Sequence, residues 1–213
     1  RPTRAVHPAD FPLKMLRDVR VSPDGTLVVY SALGHLYTRA LPSGEPKRLT
    51  PPAPGGRDTF EFFPAFSRDG QWIVYSTWND TDFGRVRVIR PDGTGGRDVV
   101  ARPGHYVQPS FSPDGTLVVY RHAGGDSIRG PHFSADAGIH VVPTAGGTPL
   151  LARESGSDPE FDHTGERIYV REVRNEKYTL LSVGVPTAAS PLPGRDEIEH
   201  VRSDNATQIV PSP

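Results

Sequence analysis

The nine residues Ser22-Pro-Asp-Gly-Thr-Leu-Val-Val-Tyr30 return letter for letter at 112–120. Between them stands Ser67-Arg-Asp-Gly-Gln-Trp-Ile-Val-Tyr75, and beyond them a decayed copy, Asp162-His-Thr-Gly-Glu-Arg-Ile-Tyr-Val170. The copies start 45, 45 and 50 residues apart. A period of about 40–50 residues marks propeller blades or solenoid units, each burying a face that it cannot hide alone. No other feature constrains the fold as strongly.

Each copy has the chemistry of a hairpin. Proline presets φ for the first central turn position, Asp bonds nearby backbone, and Gly accepts a left-handed conformation. The leading Ser or Asp caps the turn through its side-chain oxygen. The strand that follows is apolar on both faces and so needs cover on both sides. A short strand precedes each turn: Asp18-Val-Arg-Val21, Phe62-Phe-Pro-Ala-Phe66, Val107-Gln-Pro-Ser-Phe111 and Asp158-Pro-Glu-Phe161. Proline in three of these predicts irregular inner strands. Third strands are read at His35-Leu-Tyr-Thr-Arg-Ala-Leu41, Arg85-Val-Arg-Val-Ile-Arg90, Gly138-Ile-His-Val-Val142 and Tyr178-Thr-Leu-Leu-Ser-Val183, with short fourth strands such as Pro46-Lys-Arg-Leu-Thr50 and Thr148-Pro-Leu-Leu151. The pattern predicts an all-β fold, a β-propeller of four-stranded antiparallel blades with little helix.

The reading places an N-terminal extension at 1–15 and blades at about 16–51, 58–101, 105–152 and 156–193, with a partial fifth at 197–213. The chain opens on Arg1 and closes on Pro211-Ser-Pro213, where the next copy is due, so it reads as part of a longer protein. An unclosed set exposes strand edges and blade faces, which predicts self-association.

Composition excludes several function classes. The formal charge is −1, from 24 Lys+Arg against 25 Asp+Glu, which argues against a basic nucleic-acid surface. Only Lys14, Lys47 and Lys177 are lysines, a skew that fits a GC-rich genome better than a phosphate site. With no cysteine, disulfides, thiolate metal sites and cysteine nucleophiles drop out. No stretch approaches the ~20 apolar residues of a membrane helix.

The Ser-Pro-Asp-Gly turn followed by an apolar strand resembles the repeat of TolB-type propellers, the WD40-like or PD40 repeat, over residues 16–213. Six or seven blades close most propellers of this type. A narrower group is also similar: TolB-like propellers fused ahead of a metal-dependent amidohydrolase barrel. The residues that match it are Ser31-Ala-Leu-Gly-His-Leu-Tyr37, Glu61-Phe-Phe-Pro-Ala-Phe66, Trp78-Asn-Asp80 and Glu199-His-Val-Arg-Ser203. That resemblance implies an exported parent, periplasmic or secreted, acting on carbon–nitrogen bonds through a barrel outside this chain. The barrel's His-x-His motif has no counterpart here, because no two of the eight histidines are two apart. Nothing catalytic carries over. Behind that leading reading, the resemblance implies as alternatives a stand-alone TolB-type envelope protein and, third, the substrate-filtering propeller of a prolyl-oligopeptidase or tricorn-like peptidase.

Candidate sites are few. No Gly-x-Ser-x-Gly elbow occurs. His122, Asp126, His132, Asp136 and His140 cluster at the insertion 121–138, where loop polarity explains them better than metal ligation. Asp92-Gly-Thr-Gly-Gly-Arg-Asp98 lacks the spacing of a calcium loop and reads as a turn. No catalytic residue, metal ligand or cofactor is assigned. The expected partner surface comprises Trp78, Asp80, Asp82, Phe83, His105, Tyr106, Arg129 and His132, exposed aromatics beside charges on long loops of one rim. The expected partner is protein, either the rest of the parent chain or another molecule, with no nucleic acid and no membrane insertion.

Overall fold

The structure, a computed structural model, describes residues 15–51, 59–123, 136–190, 193–194 and 196–203. Its sixteen strands form four antiparallel four-stranded sheets, each built from consecutive strands. Blade 1 holds β1 (Arg17–Val21), β2 (Leu27–Ala32), β3 (His35–Ala40) and β4 (Lys47–Arg48). Blade 2 holds β5 (Phe60–Phe66), β6 (Ile73–Trp78), β7 (Gly84–Ile89) and β8 (Arg97–Gly104). Blade 3 holds β9 (Tyr106–Phe111), β10 (Leu117–His122), β11 (Gly138–Pro143) and β12 (Leu150–Arg153). Blade 4 holds β13 (Ser157–Phe161), β14 (Arg167–Arg174), β15 (Lys177–Gly184) and β16 (Ile198–Ser203). The first strands touch in series, β1 to β5 to β9 to β13, so the blades are set side by side along their inner edges.

The repeated turn forms for the reasons its residues suggest. In blade 3 the Ser112 hydroxyl donates to Asp114 Oδ1 at 2.6 Å and accepts from Leu117 N–H at 2.9 Å. Asp114 Oδ1 accepts from Thr116 N–H at 3.0 Å, and Gly115 takes φ +72°. Blades 1 and 2 repeat this with Ser22–Asp24 and Ser67–Asp69. The decayed copy solves the same problem differently: Asp162 Oδ1 accepts from both Glu166 N–H and Arg167 N–H, and Thr164 Oγ1, at the aspartate's position, accepts from Glu166 N–H at 3.3 Å as well. Hydrogen bonds from the serine and from the backbone hold Asp24, Asp69 and Asp114 below the ordinary carboxylate range.

Every inner strand carries a bulge at the same place, four residues before the turn. Asp18, Phe63, Gln108 and Asp158 take φ of 51°, 54°, 55° and 49°, and the pairing register slips beside each. A non-glycine residue here stores strain of about 1–3 kcal/mol. Bonds between blades offset it. Asp18 Oδ2 accepts from Phe63 N–H at 3.3 Å, and Gln108 Oε1 accepts from Asp158 N–H at 3.0 Å.

The core lies between blades. Val29, Leu36 and Leu49 of blade 1 meet Ile73, Tyr75 and Ile89 of blade 2. Val74, Val86 and Val88 meet Val118, Tyr120 and Val142, and on the far side of blade 3 Val119, Ile139 and Val141 meet Ile168, Val170 and Leu181. Neighbouring apolar strand residues thus serve opposite interfaces, which is why Leu-Val-Val-Tyr has no polar face.

The expected boundaries need one correction. Ile198–Ser203 does not open a fifth blade; it pairs with β15 as the fourth strand of blade 4. The link between third and fourth strands is six or seven residues in blades 1–3 but thirteen in blade 4, 185–197, so the outer strand arrives where the average period places the next blade. The rest of the expected fifth unit, 204–213, lies outside the described residues.

Candidate recognition surface on the loop face

Antiparallel succession puts the ends of β2, β6, β10 and β14 and the starts of β3, β7, β11 and β15 on one face, together with the starts of the inner strands. The Ser/Asp-led turns lie on the other. On the loop face, Trp78 ends β6 and Phe83 precedes β7. Gly84 permits the close return of the chain, since a Cβ there would meet the carbonyl oxygens of Thr77 and Gly104 at 2.5 Å. Asn79 shapes the loop between them, its Oδ1 accepting from Thr81 N–H at 2.9 Å and Asp82 N–H at 2.6 Å. Phe83, at φ 57°, is left 51% exposed.

The expected rim residues converge in part. Trp78 meets Phe83 edge-on at 5.6 Å and His105 at 5.4 Å between ring centroids. Its indole N–H donates to Asp80 Oδ1 at 2.9 Å, and Asp82 lies within reach of Asn79 Nδ2 at 3.4 Å. Trp78, Asp80, Asp82, Phe83 and His105 therefore form one patch. Tyr106 does not belong to its surface: it is 5% exposed, packs edge-on against Tyr120 and donates its hydroxyl to Arg102 O. The cause is strand parity, since Tyr106 lies opposite His122 on the side of blade 3 that faces blade 2. Arg129 and His132 lie outside the described residues.

Beside the patch runs a groove of about 900 Å³ between β8 and blade 3. Tyr106, Tyr120, His122 and His140 line its blade 3 wall. Tyr120 stacks on His140, its cross-strand partner, at 5.7 Å and 14°. His122 ends β10 and is a strand residue, not a loop residue as the insertion suggested, and His140 lies in the third strand as expected. Their Nδ1 atoms lie 2.7 Å from Asp136 O and 3.4 Å from Gly138 O. Arg102 pairs with Asp136 at 2.7 Å across the groove mouth. Burial, reinforced by nearby cations, keeps His105 and His140 below the ordinary histidine range, so both are neutral at pH 7. Burial pushes Tyr106 and Tyr120 upward. The wall thus offers neutral rings for stacking and hydrogen bonding.

Among the described residues, no group of three or more His, Asp or Glu is arranged to hold a metal ion. The Ser182–His200 contact, at 2.8 Å, resembles a nucleophile and base, but Ser182 is wholly buried and its hydroxyl already accepts from Arg167. Two buried charges went unnoticed in the sequence. Glu61 Oε2 reaches into blade 1, accepting from Leu36 N–H at 2.8 Å and Thr50 Oγ1 at 2.7 Å. Arg153 of blade 3 pairs with Glu172 at 2.7 Å and Glu197 at 3.0 Å in blade 4. Nothing local in the sequence announces either; their partners lie 11–44 residues away.

No protein-family model matches the chain, and no curated relative matches it. Solved structures do. A protein assigned as TolB from Agrobacterium tumefaciens superposes with a TM-score of 0.62 at 17% identity, over 81% of this chain and 62% of its own. A nidogen/laminin complex gives 0.59 at 12%, over 79% and 61%. A prolyl endopeptidase gives 0.59 at 17%, over 88% and 29%. The fold is therefore that of a TolB-like propeller, and the chain spans less than two thirds of each of these proteins.

Proposed function

We propose that this chain is a non-catalytic recognition module that engages a protein partner through its loop face. The observation that carries this reading is the patch of Trp78, Phe83 and His105, partly exposed and flanked by Asp80 and Asp82. Aromatic anchors with a polar rim are the usual composition of contact hot spots. The fold shared with TolB and with a chain of the nidogen/laminin complex supports a partner of protein. On the likeness of its repeats, the parent is an exported amidohydrolase-like protein whose barrel follows the propeller. A TolB-type envelope protein is the second reading, and the fold shared with a prolyl endopeptidase keeps a peptide-filtering role as the third.

Site-directed photocrosslinking in the native host tests the surface. A photoreactive phenylalanine analogue at 83 or 105 should give discrete adducts, and the same analogue at Thr26 on the opposite face should give none. Adducts at all three positions alike, or none at 83 and 105, would refute a loop-face partner.

A further inference from the structure

The turn face carries a second feature, independent of the loop-face patch. The inner strands of blades 2, 3 and 4 end on Phe66, Phe111 and Phe161, one residue before each turn. With Tyr169 they floor a hollow of about 440 Å³, within the roughly 300–1,000 Å³ range of small-molecule sites.

The rim of this hollow is where the repeat departs from its own rule. The second turn residue is Pro23 in blade 1 and Pro113 in blade 3, but Arg68 in blade 2 and His163 in blade 4. Those prolines close the gap between neighbouring turns. Pro23 lies 3.6 Å from a Cβ built on Gly70, and Pro113 lies 3.4 Å from one built on Gly165. Where Arg68 replaces proline, Gly115 of the next turn has nothing within 4 Å. The substitution therefore opens the seam between the turns of blades 2 and 3, at the hollow.

Three ionisable side chains line this hollow with no partner among the described residues: Arg68, Glu160 and His163. Asp162 also lines it, but its carboxylate is committed to its own turn. A solvated guanidinium, a solvated carboxylate and an aromatic floor are complementary to one ligand chemistry. The guanidinium takes a carboxylate, the carboxylate takes an ammonium, and the floor takes a ring.

We propose that the hollow binds a small zwitterion with an aromatic body, of the size of an aromatic α-amino acid or dipeptide. Its carboxylate pairs with Arg68, with His163 as a further donor, its ammonium pairs with Glu160, and its ring lies on Phe66, Phe111 and Phe161.

Titration of the 213-residue protein with L-phenylalanine and with glycyl-L-phenylalanine, followed by amide NMR, tests this. Saturable shifts centred on Gly115 and Gly165 are expected. N-acetyl-L-phenylalanine and L-phenylalaninamide, each lacking one charge, should bind roughly tenfold more weakly, about 1.4 kcal/mol. Arg68→Pro recreates the turn of blades 1 and 3 and should abolish binding without unfolding the protein; Arg68→Gln, which keeps an exposed polar side chain, should weaken it as well. Glu160→Gln should weaken L-phenylalanine and leave N-acetyl-L-phenylalanine unchanged. Leu33→Ala, in the exposed β2–β3 turn on the opposite face, should leave L-phenylalanine binding unchanged. The proposal fails if neither probe saturates, if the shifts centre elsewhere, or if the Arg68 variants bind as the parent does.

Discussion

Ser112 occupies one short position in a turn, yet its hydroxyl serves both the Asp114 carboxylate and the Leu117 amide while 2% exposed. Removing it strands a partly buried N–H, so Ser112→Ala should cost about 1–3 kcal/mol, read as a lower urea midpoint at unchanged slope. The same variant at Ser22 or Ser67 should behave alike, because the bonds are the same. These roles were legible in the sequence, since Ser, Asp and Gly at fixed offsets have few other uses. His140 was not: its neutrality comes from burial against Tyr120 and from Arg102 and His122 nearby, opposed by Asp136 and the Gly138 carbonyl. No neighbour in sequence reports that. Its folded pKa, like that of His105, lies below the unfolded value near 6.5, so the unfolded chain binds the proton first. Stability is then complete above about pH 6.5 and falls as the pH drops from there toward the folded values. Urea midpoints from pH 7.5 to about 5 should decline in the parent, and His140→Phe should flatten that decline. An unchanged slope would mean that His140 is already charged or free to solvate.

Strands were the most readable elements, and the links between blades the least. Alternation and the turn signals placed the inner and third strands to within a residue or two, because each depends on its own hairpin, while the second strands of blades 2 and 4 run three and four residues past the repeat, to Trp78 and Arg174. β16 was misplaced because its link to β15 is twice the usual length, and a repeat count cannot tell a long link from a new blade. The bulges at Asp18, Phe63, Gln108 and Asp158 left only a trace, the proline that follows three of them. Each blade interface also has its own polar tie at the loop end. Glu61 ties blades 1 and 2, Tyr106 ties 2 and 3, and Arg153 with Glu172 ties 3 and 4. Because the ties differ in kind, the repeat conceals them. Glu61 is 6% exposed, and losing it leaves Leu36 N–H and the Thr50 hydroxyl unanswered. Glu61→Ala should therefore cost about 2–4 kcal/mol by chemical denaturation, and Glu61→Gln, which keeps an acceptor oxygen, clearly less. Equal losses in the two variants would mean that the volume of the side chain matters here and its hydrogen bonds do not.

At the scale of the molecule, stability is a sum of blade–blade interfaces, since each sheet buries its faces against its neighbours and not within itself. Blades 2 and 3 are covered on both sides. Blades 1 and 4 each have one neighbour among the described residues, and their outward strands show it. Val19 and Val21 of β1 are 45% and 54% exposed, and Val173, Tyr178, Ile198 and Val201 of blade 4 are 61%, 40%, 46% and 46% exposed. The middle of blade 4's outward face is closed by its own side chains, with Arg167 and His200 bonding Ser182 and His200 against Tyr169. Apolar surface is thus left at the margins of that face. Margins of this kind, next to an edge strand that has no further strand beside it among the described residues, favour pairing with a second copy. The isolated 213-residue chain should show concentration-dependent association in sedimentation velocity, with no change in its far-ultraviolet spectrum. A charge on the outer strand, Val201→Lys, should move the sedimentation coefficient toward the monomer, while the same charge at Val19 should do so only if association joins blade 1 of one copy to blade 4 of the next. If Val19→Lys leaves association intact and Val201→Lys removes it, blade 4 pairs with blade 4 across a two-fold axis. A chain that stays monomeric at every concentration would show that these margins are too small, or too well flanked by charge, to hold a partner.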